Sequence, residues 1–459
     1  MEENMTALDK LFTRKKPVVP IRAVHLDLKG VPPTPGRLVG LLDVFSAFGY
    51  NAVVVEWEDT FPWTADKRIR CETAYTPEDV RALHMRAAEL GIEIIPLVQC
   101  LGHLQFVLKL PGYKAMREVP DGIDVINPLA DGAGELIGRL VDDVLALTGE
   151  VKRFHLGGDE AWSFGKHPDT KAFIARHGKG ALYIKHIEPI LDKLNAAGIR
   201  PMLWHDMMRD WDSEALRRLG EKADLVLWAY RGNPLTEGGE HVNESMARRF
   251  AEHGIGLWGA SAYKGADGYS ADLPSYDIRQ ANAQGWADAA GKIGVKGVIA
   301  TAWSRYTHCM CQCEPIDAAL DSLGCHGVVL HEGSPPGGGR EAVLAGLEAI
   351  GERERFEKCR AAMADLAAYR KDGWFMVQMG REEVVTIVND KRRAEQTAVR
   401  TLARLKAHVA RGQEVAEQVR EAFVGQIDPL WVHRYLAERI DPFRTETMQL
   451  EELVKAAEL

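Results

Sequence analysis

The chain has 459 residues, of which 46% are apolar and 27% charged, the balance of a folded globular protein and not of a disordered one. Its 57 basic and 66 acidic residues leave a net charge of −9, which argues against non-specific binding to nucleic acid or to an anionic membrane. No apolar run reaches the roughly 18–20 residues needed to cross a bilayer, and the opening MEENMTALDKLFTRKKP lacks the apolar core of a signal peptide.

From Ile21 onward, short apolar runs rich in β-branched residues alternate with amphipathic stretches. The runs are Ile21–Leu28, Asn51–Glu56, Ile92–Val98, Phe154–Gly157, Arg200–Trp204, Asp224–Trp228, Gly254–Gly259 and Gly297–Trp303. Continuous apolar strands separated by helices belong to a parallel sheet buried on both faces, and eight such units imply a closed (β/α)8 TIM barrel. Helices are expected over Gly36–Phe48, Pro77–Leu90 and Glu135–Leu147. In the second of these, Thr76-Pro77-Glu78-Asp79 supplies an N-cap, a first-turn proline and acids at the positive end of the dipole. Asn233–Glu240, rich in Gly and Pro, reads as a loop. After Leu330, SPPGGG marks a break, and apolar residues then recur at helical spacing: Phe356, Cys359, Met363 and Leu366, then Val415, Val419 and Phe423. The expected organisation is an N-terminal extension over 1–19, a catalytic barrel over 20–330 and an α-helical region over 331–459, which either braces the barrel or forms a homodimer. Arg392, Arg393, Arg400 and Arg404 make a basic cluster there. Glu395 interrupts it, as on a solvated helix face.

The seven cysteines are odd in number and come without an export signal, which points to reduced thiols in a cytoplasmic protein. Cys309, Cys311 and Cys313 lie beside His308, with His326 close behind, but no second cysteine pair completes a zinc spacing. No metal and no cofactor are expected.

Barrel enzymes place their chemistry at the carboxyl ends of the strands. The fourth strand ends in His155-Leu-Gly-Gly-Asp159-Glu160, where two glycines allow a sharp turn and two adjacent carboxylates face the barrel mouth. Carboxylates that close do not both ionise freely, and a raised carboxyl pKa suits a general acid. Trp204, Trp228, Trp258 and Trp303 close four other strands and form a candidate aromatic wall for a sugar face. Arg22, Glu58, His103, Asp206 and Arg305 add donors and acceptors around it.

The motif His-x-Gly-Gly-Asp-Glu resembles the signature of glycoside hydrolase family 20, the β-N-acetylhexosaminidases. IRAVHLDLKG, EWEDTFPW, IPLVQCLGHLQFVLK, WHDMMRD and TAWSRYTH are similar to its hexosaminidase D-type branch. The resemblance covers roughly residues 20–330. It implies a retaining, exo-acting enzyme without a protein nucleophile, acting on glycans with a terminal β-linked N-acetylhexosamine. By motif, Asp159 orients the substrate's acetamido group and Glu160 is the general acid and base. Arg22 resembles the arginine that grips sugar hydroxyls, and Trp204, Trp228 and Trp303 the walls of the acetamido pocket. Tyr263, or else Tyr230, is the candidate to bond the acetamido carbonyl. His155 supports the carboxylate loop, and His103 contacts or supports the site. Arg305 stands where many members carry an acid, a departure that bears on recognition around O4. The branch implies a galactosamine-type preference. Two other readings are open. One is a metal-dependent barrel hydrolase built on His25, Asp27, His103, His155 and Asp159. The other is a non-catalytic aminosugar-binding protein.

Overall fold

The computed structural model describes residues 6–236, 242–389 and 395–456. Alternation along the first strand, β1 (Ile21–Asp27), already divides inside from outside: Ala23 faces the barrel interior, while Val24 and Leu26 join the outer core beneath the helices. Seven further strands repeat this division: β2 (Ala52–Glu56), β3 (Glu93–Leu97), β4 (Arg153–His155), β5 (Arg200–Trp204), β6 (Asp224–Trp228), β7 (Gly256–Lys264) and β8 (Gly297–Ala302). Each pairs in parallel with its neighbour in sequence, and β8 pairs with β1, so the sheet closes. Closure leaves no exposed edge and fills the interior with layered side chains such as Val54, Ile95, Met202 and Ile299.

The helices α1 (Pro35–Ala47), α2 (Pro77–Glu89), α3 (Ala133–Leu147), α4 (Lys179–Ala196), α5 (Ser213–Lys222), α6 (Glu244–Glu252), α7 (Tyr276–Ile293) and α8 (Leu320–Glu332) follow the eight strands in turn. Thr76 caps α2 in a reciprocal capping box with Asp79, as its sequence dictates. Beyond α8 come α9 (Gly339–Ala349) and three long helices, α10 (Arg353–Asn389), α11 (Glu395–Ala422) and α12 (Pro429–Ala456). Cys359, Met363 and Leu366 of α10 meet Val415 and Val419 of α11 in a second apolar core, as their spacing implies. This tail leans on loops at the carboxyl ends of the strands. The Trp431 indole donates to Thr73 Oγ1 at 2.6 Å, Thr34 Oγ1 donates to the Gly425 carbonyl at 2.6 Å, and Pro33 bridges to Ile427.

One strand differs from expectation. The sequence pattern stops at Gly259, but β7 runs on to Lys264, because the small and polar residues Ser261 and Ala262 continue the pairing with β8. Trp258 therefore does not close its strand. It is buried inside the barrel, where its indole donates to Asp224 Oδ2 at 3.1 Å. Residues 237–240 of the expected loop, and Arg392 and Arg393 of the basic cluster, lie outside the described residues. Among the described residues no helix is long and apolar enough to cross a membrane.

Candidate active site

The loop after β4 turns through glycines because nothing else fits. Gly158 has φ +80°, and a Cβ there would stand 2.0 Å from the Tyr183 hydroxyl, which donates to the Gly158 carbonyl at 2.8 Å. Across from it, Gly102 lets the loop after β3 approach so closely that a Cβ would lie 2.0 Å from the Asp159 carbonyl oxygen. This approach delivers His103 to the acidic pair, with Nε2 3.5 Å from Asp159 Oδ2 and 3.5 Å from Glu160 Oε2. Burial works against the imidazolium, but the Asp159 charge and hydrogen bonding to both carboxylates outweigh it. His103 is held well above its ordinary range and is charged at neutral pH.

Strain gathers at the same place. Of four non-glycine residues with left-handed backbone among the described ones, two are at the acidic pair, Glu160 itself at φ +45° and His103 at +54°, and a third is Glu58, behind the cavity wall, at +50°. Each such conformation costs about 1–3 kcal/mol and persists only where its surroundings enforce it. Part of that enforcement comes from Asp206, after β5. Its Oδ2 accepts the Glu160 N–H at 2.9 Å, and its Oδ1 accepts the Trp228 indole N–H at 3.3 Å. Burial, with the Asp159 charge adding to it, pushes the Asp206 carboxyl up to about 7.

A cavity of about 600 Å³ opens here, lined by Lys29, Glu56, Gln99, His103, Asp159 and Glu160 and by the aromatic rings of Trp228, Tyr230, Trp303 and Tyr306. The Trp228 and Tyr230 rings stack 5.4 Å apart, and Tyr230 meets Trp303 at 6.1 Å. Lys29 Nζ lies 2.9 Å from Asp27, 3.4 Å from Glu56 and 5.2 Å from the centre of the Trp303 ring. Burial opposes its charge, but Asp27, Glu56 and Glu58 keep it protonated. Glu56 in turn is held well below the carboxylate range: burial alone would raise it, and Lys29 and His25 reverse the sign. Asp159 lines the cavity, and its Oδ1 is buried and accepts no hydrogen bond from the described residues. A concave site with aromatic walls and a few convergent polar groups suits a sugar with one apolar face.

Of the residues singled out from sequence, Asp159, Glu160, His103, Trp228, Tyr230 and Trp303 line this cavity. His155, Trp204, Asp206 and Glu58 stand behind its wall. Nδ1 of His155 accepts the Gly157 N–H at 2.9 Å, and burial drives that imidazole down to about 3, so it is neutral. Its ring packs 4.4 Å from Trp204, which is itself 6.0 Å from Trp303. Glu58 faces His308 at 3.0 Å. Burial and the charge of Glu56 push Glu58 well up, against the pull of Lys29, while burial drives His308 down to about 4.

Three expectations fail on geometry. Arg22 begins β1, at the end of the barrel opposite the site, and donates to the Gly49, Val19 and Pro20 carbonyls at 2.6, 2.8 and 3.0 Å. Tyr263 lies on the outward parity of β7, packed towards His326 of α8, so of the two candidate tyrosines Tyr230 is the one in the cavity. Arg305 turns away to the tail, over Trp431 at 5.3 Å and towards Glu438 at 3.5 Å. The alternative metal set is also dispersed: His25 faces Glu56 at 3.1 Å, Asp27 holds Lys29, and His155 is committed to Gly157. Among the described residues no three His, Cys, Asp or Glu side chains converge as ligands would. All seven cysteines are free thiols.

Residues 57–314 match the model of the glycosyl hydrolase family 20 catalytic domain. The chain belongs to glycosyl hydrolase family 20. As a member it is a glycoside hydrolase. It is 32% identical over 323 residues to Hexosaminidase D of Bos taurus, covering 68% of this chain and 92% of the relative. With Hexosaminidase D of Homo sapiens it shares 32% identity over 314 residues, 66% of this chain and 64% of that protein. Two solved structures share the fold at low identity. The chitobiase of Flavobacterium johnsoniae gives a TM-score of 0.56 at 14% identity, covering 96% of this chain and 73% of that one. An exo β-N-acetylglucosaminidase of Vibrio harveyi gives 0.52 at 17%, covering 73% and 59%.

The lining residues of this family 20 site that the sequence did not single out include Lys29, Glu56, Gln99 and Tyr306. Glu56 and Gln99 sit in or just after strand runs and were visible only as strand-end polar residues. The loop parity that turns Lys29 inward has no signature in the chain.

Proposed function

We propose that this protein is a retaining exo-β-N-acetylhexosaminidase that hydrolyses terminal β-linked N-acetylgalactosamine or N-acetylglucosamine by substrate-assisted catalysis. The observation that carries the reading is the Asp159–Glu160 pair, set beside a protonated His103 at the edge of an aromatic-walled cavity. The Asp159 carboxylate accepts the N–H of the substrate's 2-acetamido group, which turns the acetamido oxygen towards the anomeric carbon. As that oxygen forms its bond to C1, the bond from C1 to the leaving oxygen breaks, and Glu160 transfers its proton to the departing oxygen. The positive charge of the resulting oxazolinium lies beside the Asp159 carboxylate. Water then attacks C1 while Glu160, now a carboxylate, takes its proton. The C1 bond to the acetamido oxygen breaks, and the product keeps its configuration. The nucleophile arrives already attached to the reacting centre, which removes the entropy of bringing it there.

Trp228, Tyr230 and Trp303 surround the acetamido methyl and the apolar ring face, and the Tyr230 hydroxyl donates to the acetamido carbonyl. Lys29, with Arg305 turned away, takes the role of charged donor to the sugar hydroxyls. The reading is tested with aryl N-acetyl-β-galactosaminide and N-acetyl-β-glucosaminide, assayed with and without a thiazoline mimic of the oxazolinium. Hydrolysis with competitive inhibition supports it. Hydrolysis that the thiazoline does not touch rules out the substrate-assisted route, and absence of hydrolysis of both sugars overturns the function.

A further inference from the structure

The last tail helix, α12, reaches the catalytic rim through one carboxylate. Glu438 Oε2 accepts the backbone N–H of Gln312 at 2.8 Å, and its Oε1 accepts the Gln312 side-chain amide at 3.3 Å. Gln312 is fully buried in the loop after β8, and its own Oε1 accepts the N–H of Val31, in the loop after β1, at 2.9 Å. One tail side chain is thus tied, through one amide, to both loops that meet where the barrel closes. The loops also touch directly. The Ser304 N–H donates to Asp27 Oδ2 at 2.7 Å, and a Cβ on Gly30 would lie 2.7 Å from the Ser304 carbonyl oxygen. Both loops supply the sugar cavity: Lys29 stands two residues before Val31, and Tyr306 lies between Ser304 and Gln312.

Charge and strain show that this seam is under load. Glu438 sits between two guanidinium groups, 3.5 Å from Arg305 and 3.5 Å from Arg439. Arg439 is buried and continues to Asp272, in the loop after β7, at 2.5 Å. Without the carboxylate, two cations would face each other and a buried N–H would lose its acceptor, both costly in a poorly solvated place. Val31 is a β-branched residue at φ +38°, a conformation that persists only when its neighbours impose it, and the Gln312 bond is one that does.

We propose that Glu438 is a positioning residue for the sugar site. By clamping the seam between the loops after β1 and β8, it fixes Lys29 and Tyr306 in the cavity and keeps Arg305 out of it. The identity of the ligand rests on the function proposed above, whereas the clamp is a property of the loops themselves.

The test uses the full chain with Glu438→Gln and, separately, Gln312→Met, which keeps the backbone bond to Glu438 Oε2 and removes both side-chain bonds, the one to Val31 and the longer one to Glu438 Oε1. Amide hydrogen exchange is expected to quicken about tenfold or more in residues 28–34 and 303–313 of Glu438→Gln, and in 28–34 alone of Gln312→Met, with the strands unchanged. In parallel, KM for an aryl N-acetyl-β-hexosaminide rises about fivefold to tenfold with kcat within about twofold, the pattern of lost uniform binding. Arg305→Gln added to Glu438→Gln recovers part of the KM. A lower melting temperature with KM unchanged, or exchange unaltered in both loops, overturns the clamp. If the wild type hydrolyses no N-acetylhexosaminide, the functional reading falls and the exchange result alone decides the clamp.

Discussion

The Asp206 carboxylate holds the backbone of Glu160, accepting its N–H at 2.9 Å, while its other oxygen holds the Trp228 indole. One buried acid thereby registers the candidate general acid against an aromatic wall of the cavity. Its ionisation is resisted by burial and by the charge of Asp159, which raise it from the ordinary Asp range to about 7. Between about pH 4 and pH 7 the folded protein therefore keeps a proton that the unfolded chain has released. The contribution of this group to stability is present below about pH 4 and is lost as pH rises to about 7. Asp206→Asn removes that slope, so the melting temperature of the wild type falls relative to the variant between those pH values. Asn has one acceptor oxygen for two donors, so kcat of the variant falls by up to about 100-fold through misplacement of Glu160 or Trp228.

Glu160→Gln keeps the size of the side chain and removes its proton. On an aryl N-acetyl-β-hexosaminide, kcat should fall by about 10²–10⁴-fold, with circular dichroism and melting temperature unchanged. Activity near that of the wild type refutes the role of Glu160.

His103→Gln tests the imidazolium beside the acidic pair. The folded pKa of His103 is raised, so its contribution to stability is full below about pH 6.5 and is lost as pH climbs through the raised value. The gap in melting temperature between wild type and variant should be widest in mildly acidic buffer and close in strongly alkaline buffer. A gap that grows with pH contradicts a charged His103.

Gly102→Ala places a methyl group 2.0 Å from a backbone oxygen of the catalytic loop, with no flexible side chain to give way. The loops after β3 and β4 must part. We expect a loss of about 1–3 kcal/mol in a urea unfolding assay and a larger proportional loss in kcat. Gly138→Ala, within α3 and with open space at its Cβ, is the control. It should stabilise by about 0.5–1 kcal/mol and leave the rate alone.

The barrel was legible because each strand is an apolar run long enough to stand out, and even the three-residue β4 was betrayed by the Gly-Gly-Asp-Glu that follows it. The far half of β7 was not, since Ser261 and Ala262 lack the β-branched signature and are strand only because β8 pairs with them. Arg22 shows the limit of a motif. It matches a family pattern in type, but its place at the start of β1 puts it at the wrong end of the barrel. Lys29 shows the converse, a lysine after a strand that reads as solvated until closure sets it among Asp27, Glu56 and Trp303. The turning of Arg305 was invisible because the carboxylate it meets belongs to a helix 126 residues beyond its loop partner Gln312.

The left-handed backbone at Glu58, His103 and Glu160 has a consequence for how this sequence drifts. Glycine adopts that conformation without penalty, so at these positions a mutation that erases the side chain also relieves the chain. Selection for heat tolerance alone would set this relief against the contacts each side chain makes, and wherever the relief is larger it would favour glycine and dismantle the acidic site while hardening the barrel. A library screened first for survival on heating and then for hydrolysis would show such positions as those where the two rankings run in opposite directions.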